Sequence, residues 1–154
     1  MKLDIGSGRK HFEDYVTLDK DPKVGADLCL DIEDFTPSPQ FIDEFGIGGI
    51  DEIRAFHILE HIRPENKVKV IKTFYELLKI GGILHIEVPI ATTVQFWQDP
   101  THLSGWTPET FWYFTKGNRF GEAFAKRHSD ARLFEKIEDE IRDGWAYRIK
   151  LKKI

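Results

Sequence analysis

The stretch LDIGSGRKHFEDYVTLD, residues 3–19, decides the fold. Its apolar runs at residues 3–5 and 16–18 have the length and the flanks of two buried parallel strands. A glycine turn, residues 6–8, follows the first run, and an acidic residue ends the second. Only seven residues, 9–15, separate the turn from the second strand. Because two or three helical turns need more chain than that, we expect a crossover without the helix that usually joins such strands.

Further along the chain, short apolar runs alternate with polar or amphipathic connections, which indicates parallel strands joined by crossovers. We predict further strands at residues 26–30, 50–55 and 82–87. A helical repeat covers residues 64–80 and should end at Gly81 and Gly82. The terminal segment alternates on both sides of Asp143 and Gly144, which predicts a hairpin. The expected fold class is α/β, a Rossmann-like sheet that is mostly parallel and has a C-terminal antiparallel hairpin.

The length and the composition indicate one globular domain, residues 1–154. With 41% hydrophobic and 31% charged residues, such a chain can bury about 70% of its unfolded surface in one core. The net charge of −4 gives no basic footprint, so no nucleic-acid partner is expected. The longest apolar run is shorter than the ~18 residues of a membrane span, so we expect no membrane association and a cytoplasmic location. The single cysteine, Cys29, excludes a disulfide framework and should be buried. The oligomeric state stays open.

Residues 90–130 break the alternation and predict an insertion rich in aromatic side chains. This segment holds three of the four Trp residues. Thr107 is placed to cap a short helix over residues 108–114. Long ordered connections in compact domains are usually lids or binding loops, so we expect the segment to form a lid or a substrate-binding loop. Phe111 and Phe114 should pack in the core because they share one helical face.

The missing first helix restricts the ligand. Parallel sheets bind ligands beyond the carboxyl ends of their strands, which places the glycine turn, Asp19 and Asp31 on one rim. Dinucleotide sites hold a pyrophosphate at a helix N-terminus, and this crossover offers none. S-adenosylmethionine has no phosphate. It needs close backbone approach, an acid for the ribose hydroxyls and groups for its amino acid end, so it tolerates the loss.

Six segments follow one another along the chain: LDIGSG, VTLDKD, LCLDIEDF, IDEIRAFHILEHI, LLKIGGILHIEVP and DPTHLSGWTPETFWYF. In this order and spacing they resemble the small class I S-adenosylmethionine-dependent methyltransferases, in particular a compact subgroup with a shortened first crossover. The resemblance covers most of the chain up to Phe114, and a hairpin follows where the family has one. The first motif departs from the family because it lacks the third glycine and the helix.

The resemblance implies an enzyme with S-adenosylmethionine as its cofactor and a small molecule or glycan as its methyl acceptor. Asp4, Gly6, Ser7 and Gly8 match the first family motif, in which the glycine turn passes beneath the methionine part and the acid helps to place the amino group. A plain tight turn is the alternative interpretation of these glycines. For the whole chain, the alternative is a methyltransferase-like binding module without turnover.

The remaining family positions follow later strands. Asp19 matches the acid that binds the ribose, and Asp31 with the backbone of Ile32 matches the position that contacts adenine. Phe56 and His57 match positions beside the methyl donor. The alternative for Asp19 is a structural role in the turn that follows its strand. The alternative for Asp31 is the N-cap of a short helical turn.

Methyl transfer needs a nucleophile held in line at about 3 Å, and it needs a base only if the acceptor is a hydroxyl or a protonated amine. His57 and His102 are the candidate catalytic bases, and Asp99 is placed to orient the ring of His102. The alternative for residues 99–102 is a turn with internal hydrogen bonds.

The segment HILEH supports a second enzyme hypothesis, a zinc hydrolase. On a helix, His57, Glu60 and His61 would set two imidazoles on one face with a carboxylate as the base. The preceding DEIRAF predicts a strand that runs into this motif, so only His61 is securely helical. No third ligand is evident from the sequence, so no metal is expected, and ordering a neighbouring loop is the plainer role for His61.

Overall fold

The computed structural model describes residues 1–154, except the side chain of Gln40. The strands are β1 (Lys2–Ile5), β2 (Tyr15–Asp19), β3 (Leu28–Cys29), β4 (Ile50–Phe56), β5 (Leu78–Pro89), β6 (Phe134–Arg142) and β7 (Ala146–Lys153). They form one sheet in the order β3-β2-β1-β4-β5-β7-β6. Strands β1 to β5 pair in parallel, whereas β7 is antiparallel to both β5 and β6. The predicted fold class and the C-terminal hairpin are confirmed.

Short helices connect the strands. The α-helices are α1 (Pro39–Phe45), α2 (Lys67–Leu77), α3 (Val94–Trp97) and α4 (Arg119–Arg127), and 3₁₀ helices cover Pro22–Val24, Leu59–His61, Pro64–Asn66 and Pro108–Phe114. The prediction of one helix over residues 64–80 was wrong at both ends, because a 3₁₀ turn precedes α2 and β5 begins at Leu78. Leu78 pairs with Ile50 of β4, so strand pairing replaces the last predicted helical turn. Gly81 and Gly82 therefore lie inside β5. Within the described chain, none of the helices has the length and hydrophobicity needed to cross a membrane.

The two faces of the sheet differ because successive side chains of a strand point to opposite sides. One face is apolar and packs against α2, whose inward side chains are buried. Its central residues are Leu3, Ile5, Ile53, Ala55, Leu84, Ile86, Ile149 and Leu151. On the opposite face, charged side chains pair across neighbouring strands: Arg54 donates to Asp4 at 2.8 Å, and Arg148 Nε donates to Glu87 at 2.7 Å. The apolar face fixes the strands, and their carboxyl ends carry the candidate site.

The connection from β1 to β2 contains no helix over residues 6–14, as predicted. The Gly6 N–H donates to the Leu18 carbonyl at 2.7 Å, and the Gly8 N–H donates to Asp19 Oδ2 at 2.9 Å. Without a helix between the strands, the glycine turn is thus fastened directly to the end of β2.

The segment of residues 90–130 contains α3, the 3₁₀ helix Pro108–Phe114 and α4. The short helix predicted at residues 108–114 is present in 3₁₀ form, and the Thr107 N–H before it donates to Thr110 Oγ1 at 3.1 Å. Phe111 and Phe114 are buried in the core, as predicted. The loop before this helix is anchored by Trp106, which is fully buried and joins the same core.

Cys29 is exposed, so the prediction of a buried thiol was wrong. Strand β3 has two residues and lies at the edge of the sheet. Leu28 packs against the core. The next residue of a strand points to the other side, which leaves Cys29 facing outward.

Candidate functional site

A first cleft lies at the carboxyl ends of β1, β2 and β4, where parallel sheets bind their ligands. Five predicted site residues line it: Gly6, Asp19, Asp31, Ile32 and His57. The other lining residues are Leu18, Lys20, Leu30, Ile58, His61 and Ile62. Residues that are far apart in the sequence thus meet in a pocket with apolar walls and two carboxylates.

Gly6 forms the floor of the first cleft and has to be glycine for two reasons. Its φ of +70° lies in the left-handed region that disfavours other residues. A Cβ at this position would also lie 2.5 Å from Ile58 Cδ1. The chain after β4 therefore approaches the glycine turn closely, and Gly6, which is half-buried, forms part of the lining of the cleft.

Asp19 and Asp31 are both held in place by backbone N–H groups. Asp19 accepts from the Gly8 N–H through Oδ2 and from the Asp21 N–H through Oδ1, each at 2.9 Å. Asp31 Oδ1 accepts from the Glu33 N–H at 2.9 Å. These hydrogen bonds stabilise the turns after β2 and β3, and they also fix the orientation of the two carboxylates. Because each carboxylate oxygen accepts more than one hydrogen bond, both groups keep capacity for donors from a ligand.

Four residues predicted to bind the cofactor lie outside the lining of the first cleft: Asp4, Ser7, Gly8 and Phe56. Asp4 is 1% exposed and bonds to Arg54 on the polar face of the sheet. Burial raises the pKa of Asp4 above its ordinary value, and the contact with Arg54 opposes that shift. Ser7 is buried in the glycine turn, and Gly8 acts through its bond to Asp19. The Phe56 ring lies under the Arg54 guanidinium, 3.9 Å from it.

His57 lies between two carboxylates at the end of β4. Its Nε2 is 2.9 Å from Glu87 Oε1, and its Nδ1 is 3.4 Å from Glu60 Oε1. The hydrogen bond to Glu60, followed by the one to Glu87, raises the pKa of His57 above its ordinary value, although burial acts in the opposite direction. The arrangement favours an imidazolium whose two N–H groups are both occupied. A His57 imidazolium of this kind can provide positive charge and orient neighbouring groups, but it is poorly suited to accept a proton.

A second cleft adjoins the first, since His57 and His61 line both. Its lining residues are His57, Glu60, His61, Pro89, Gln95, Gln98, Asp99, His102 and Trp145. His102 Nδ1 is 2.6 Å from the Phe96 carbonyl, which orients the ring. Asp99 accepts from the Thr101 N–H at 2.8 Å and from Thr101 Oγ1 at 2.7 Å, whereas its Oδ2 is 3.6 Å from His102 Nε2. The Asp99 carboxylate thus closes a turn and lies near the imidazole without a hydrogen bond to it.

The HILEH motif does not adopt the helical geometry of a zinc hydrolase. His57 has φ +54° in the turn after β4, and the 3₁₀ helix Leu59–His61 begins after it. Another group forms instead: one ligand atom each from Glu60, His61 and His102 lies within 4.8 Å of the others. The structure thus brings His61, the second histidine of the motif, close to His102, which is 41 positions later in the sequence.

Sequence reasoning missed several residues of the two clefts. Ile58, which packs on the glycine turn, gave no signal beyond its hydrophobicity. Glu87 and Trp145 were missed because they reach His57 only through sheet pairing. Glu87 comes beside it through the pairing of β4 with β5, and Trp145 through the pairing of β5 with β7. Glu60 was considered only as part of the zinc motif. A polar residue at the end of a buried strand, such as Glu87, was the one signal that could have been used.

Comparison with known proteins shows the fold. No family model and no curated protein matches the sequence. A SAM-dependent methyltransferase from Archaeoglobus fulgidus has a TM-score of 0.66 at 18% identity, over 99% of this chain and 85% of that one. The N-methyltransferase NodS from Bradyrhizobium japonicum, solved with S-adenosylhomocysteine, has a TM-score of 0.64 at 14% identity, over 99% and 76%. The predicted class I methyltransferase fold is confirmed.

A third structure limits what the fold implies. The [4+2]-cyclase SpnF matches with a TM-score of 0.62 at 14% identity, over 99% of this chain and 74% of that one. A fold shared by proteins named as methyltransferases and as a cyclase does not determine the reaction, so the function has to be argued from the clefts.

Proposed function

From the class I methyltransferase fold, we propose that this protein is an enzyme that transfers a methyl group from S-adenosylmethionine to a small-molecule or glycan acceptor. The observation that carries the proposal is the first cleft, in which Gly6, Asp19 and Asp31 meet beyond the strand ends. A second cleft opens beside it and shares His57 and His61. Two adjoining clefts provide separate places for a methyl donor and an acceptor.

The residues of the first cleft fit this cofactor. Gly6 lines the cleft without a side chain of its own, so its backbone is the surface offered to the methionine part. The Asp19 carboxylate is fixed by two backbone N–H groups and keeps acceptor capacity for the ribose hydroxyls. Asp31 and Ile32 line the same cleft between apolar walls, and under this proposal they contact the adenine. No helix N-terminus is required, because the ligand has no phosphate.

The chemistry requires little from the protein beyond position. When bound, the cofactor supplies a sulfonium-activated methyl group, which the acceptor lone pair attacks in line as the carbon–sulfur bond breaks. The second cleft holds the acceptor against that methyl group, and excluding water there strengthens its polar contacts. His102 donates from Nδ1 to the Phe96 carbonyl, so its Nε2 lone pair is free to take the acceptor proton. Under this proposal His57 and Asp99 tune the charge around the acceptor.

Calorimetric titration with S-adenosylhomocysteine tests the proposal. We expect binding with a Kd of about 1–100 μM, roughly 5–8 kcal/mol, and loss of at least tenfold in affinity in Asp19→Ala. Asp14→Ala is the matched control, since Asp14 is an exposed acid of the same β1–β2 loop outside both clefts. Failure of the wild-type protein to bind the ligand at millimolar concentration would remove the proposed function. Binding without turnover on any acceptor would favour the binding-module alternative.

A further inference from the structure

We propose that Glu60, His61 and His102 bind a divalent transition-metal ion in the second cleft. One ligand atom from each residue lies within 4.8 Å of the other two. Around a tetrahedral ion with metal–nitrogen bonds of about 2.0–2.1 Å, neighbouring ligand atoms are about 3.4 Å apart. Closing the group on a metal therefore needs side-chain adjustments of about 1 Å and no change of fold.

In both imidazoles a backbone carbonyl occupies Nδ1, which leaves Nε2 available to a metal. His61 Nδ1 is 3.1 Å from the Thr101 carbonyl, and His102 Nδ1 is 2.6 Å from the Phe96 carbonyl. A carbonyl only accepts, so in each ring Nδ1 carries the proton and Nε2 keeps its lone pair. Backbone carbonyls behind metal-binding histidines orient the ring in this way and raise its basicity.

Glu60 supplies an independent observation. Its side chain is 1% exposed, and its Oε2 is buried without a hydrogen-bond partner in the described structure. An unsatisfied oxygen of a buried carboxylate is unfavourable because it has lost its hydration. A bound cation would satisfy this oxygen. Asp99 Oδ2, 3.6 Å from His102 Nε2, adds a further negative charge beside the proposed ion.

The backbone holds the ligands in place before any ion binds. The Leu103 and Ser104 N–H groups donate to the Glu60 carbonyl at 2.7 and 3.0 Å. Ser104 Oγ donates to the Ile62 carbonyl at 2.6 Å. The loop that carries His102 is thus fastened to the 3₁₀ helix that carries Glu60 and His61. Such pre-organisation reduces the ordering needed on binding.

The donor set selects the kind of metal. Two imidazoles and one carboxylate are typical of zinc and iron sites, whereas Mg²⁺ and Ca²⁺ prefer oxygen ligands. Three protein ligands leave at least one coordination position for water or for an oxygen of the acceptor. A metal ion at this site would contradict the sequence-based expectation that the chain binds no metal. The site also differs from that of the zinc-hydrolase hypothesis, because His57 is held by Glu87 and is not a ligand.

The metal gives the second cleft a different role in the proposed methyl transfer, and this consequence rests on that proposal. With Nε2 of His102 bound to the ion, the ring no longer accepts a proton. The ion would instead lower the pKa of a bound acceptor hydroxyl. A base role predicts that only His102→Ala impairs transfer, whereas a metal role predicts equal loss in His61→Ala.

The test uses the full chain after removal of metals with a chelator. We expect calorimetry to show one Zn²⁺ site per chain and no Mg²⁺ binding. Bound Co²⁺ should give the visible absorption bands of a site with a low coordination number. His61→Ala, His102→Ala and Glu60→Gln should each weaken Zn²⁺ binding more than tenfold, while His11→Ala, which removes an exposed histidine, should leave it unchanged. Circular dichroism establishes that each variant is folded.

Unchanged Zn²⁺ affinity in folded His61→Ala and His102→Ala, or no Zn²⁺ binding by the wild-type chain, would overturn the inference. Titrating S-adenosylhomocysteine into the same metal-free proteins separates the two proposals. Cofactor binding without Zn²⁺ binding would remove the metal site and keep the proposed function. Zn²⁺ binding without cofactor binding would keep the metal site and remove the proposed function.

Discussion

Replacing Gly6 with alanine should destabilise the protein through two separable effects. The backbone at Gly6 has φ +70°, and the new Cβ would lie 2.5 Å from Ile58 Cδ1 and 2.9 Å from Ile58 Cβ. Left-handed backbone costs an L-residue about 1–2 kcal/mol, and overpacking adds about 1–3 kcal/mol. We therefore expect Gly6→Ala to lower the free energy of unfolding by about 2–5 kcal/mol.

Gly8→Ala isolates the backbone effect in the same turn. Gly8 has φ +58°, and no atom lies within 4 Å of a Cβ built there. Its substitution should lower the free energy of unfolding by about 1–2 kcal/mol only. Ile58→Ala should restore part of the stability lost in Gly6→Ala, with a coupling of about 1–3 kcal/mol in a double-mutant cycle.

Urea denaturation followed by circular dichroism measures all four variants. Equal losses in Gly6→Ala and Gly8→Ala would refute the close contact between Ile58 and the glycine turn. Strict additivity of Gly6→Ala and Ile58→Ala would refute it as well. Either result would mean that the chain after β4 does not form the wall of the first cleft as described.

Two further substitutions test the surroundings of the site. Because Glu60 and Glu87 raise the pKa of His57, the stabilisation from its charged ring is complete below about pH 6.5 and is lost as the pH rises through the raised pKa. In the metal-free protein, the difference in unfolding free energy between wild type and His57→Gln should therefore shrink as the pH rises above about 6.5, and a constant difference would contradict the assigned contacts. Trp106→Phe removes the indole donor that is 3.0 Å from the buried Leu59 carbonyl. This loss should lower the free energy of unfolding by about 1–3 kcal/mol and with it the melting temperature. An unchanged melting temperature would contradict the assigned hydrogen bond.

Local patterns in the sequence were sufficient for the first half of the sheet. Gly6, Asp19 and Asp31 each follow an apolar run, and strand ends of a parallel sheet meet at one edge, so their meeting in the first cleft followed from topology. The absence of the first helix followed from chain length alone. Asp4 was assigned to the cofactor on family resemblance. In the structure Asp4 is buried on the polar face of the sheet, where it bonds to Arg54, and it lies outside the lining of the first cleft.

The second cleft could not be derived in this way. It depends on how residues 99–104 fold back onto the 3₁₀ helix Leu59–His61, through hydrogen bonds that no local pattern encodes. Helices α1 and α4 were also not predicted. Helices of seven and nine residues are stabilised mainly by tertiary packing, so their own sequences carry little signal. The site residues that bring chemistry from distant segments, such as His102 and Trp145, become visible only in three dimensions.

The most direct test of the central claim is an NMR titration of the ¹⁵N-labelled 18.0 kDa protein with S-adenosylhomocysteine. If the first cleft binds the cofactor, the amide signals of Gly6, Asp19 and Ile32 should shift most, while those of the distant edge strand β6 stay in place. Shifts concentrated on β6, or an unchanged spectrum at millimolar ligand, would contradict it.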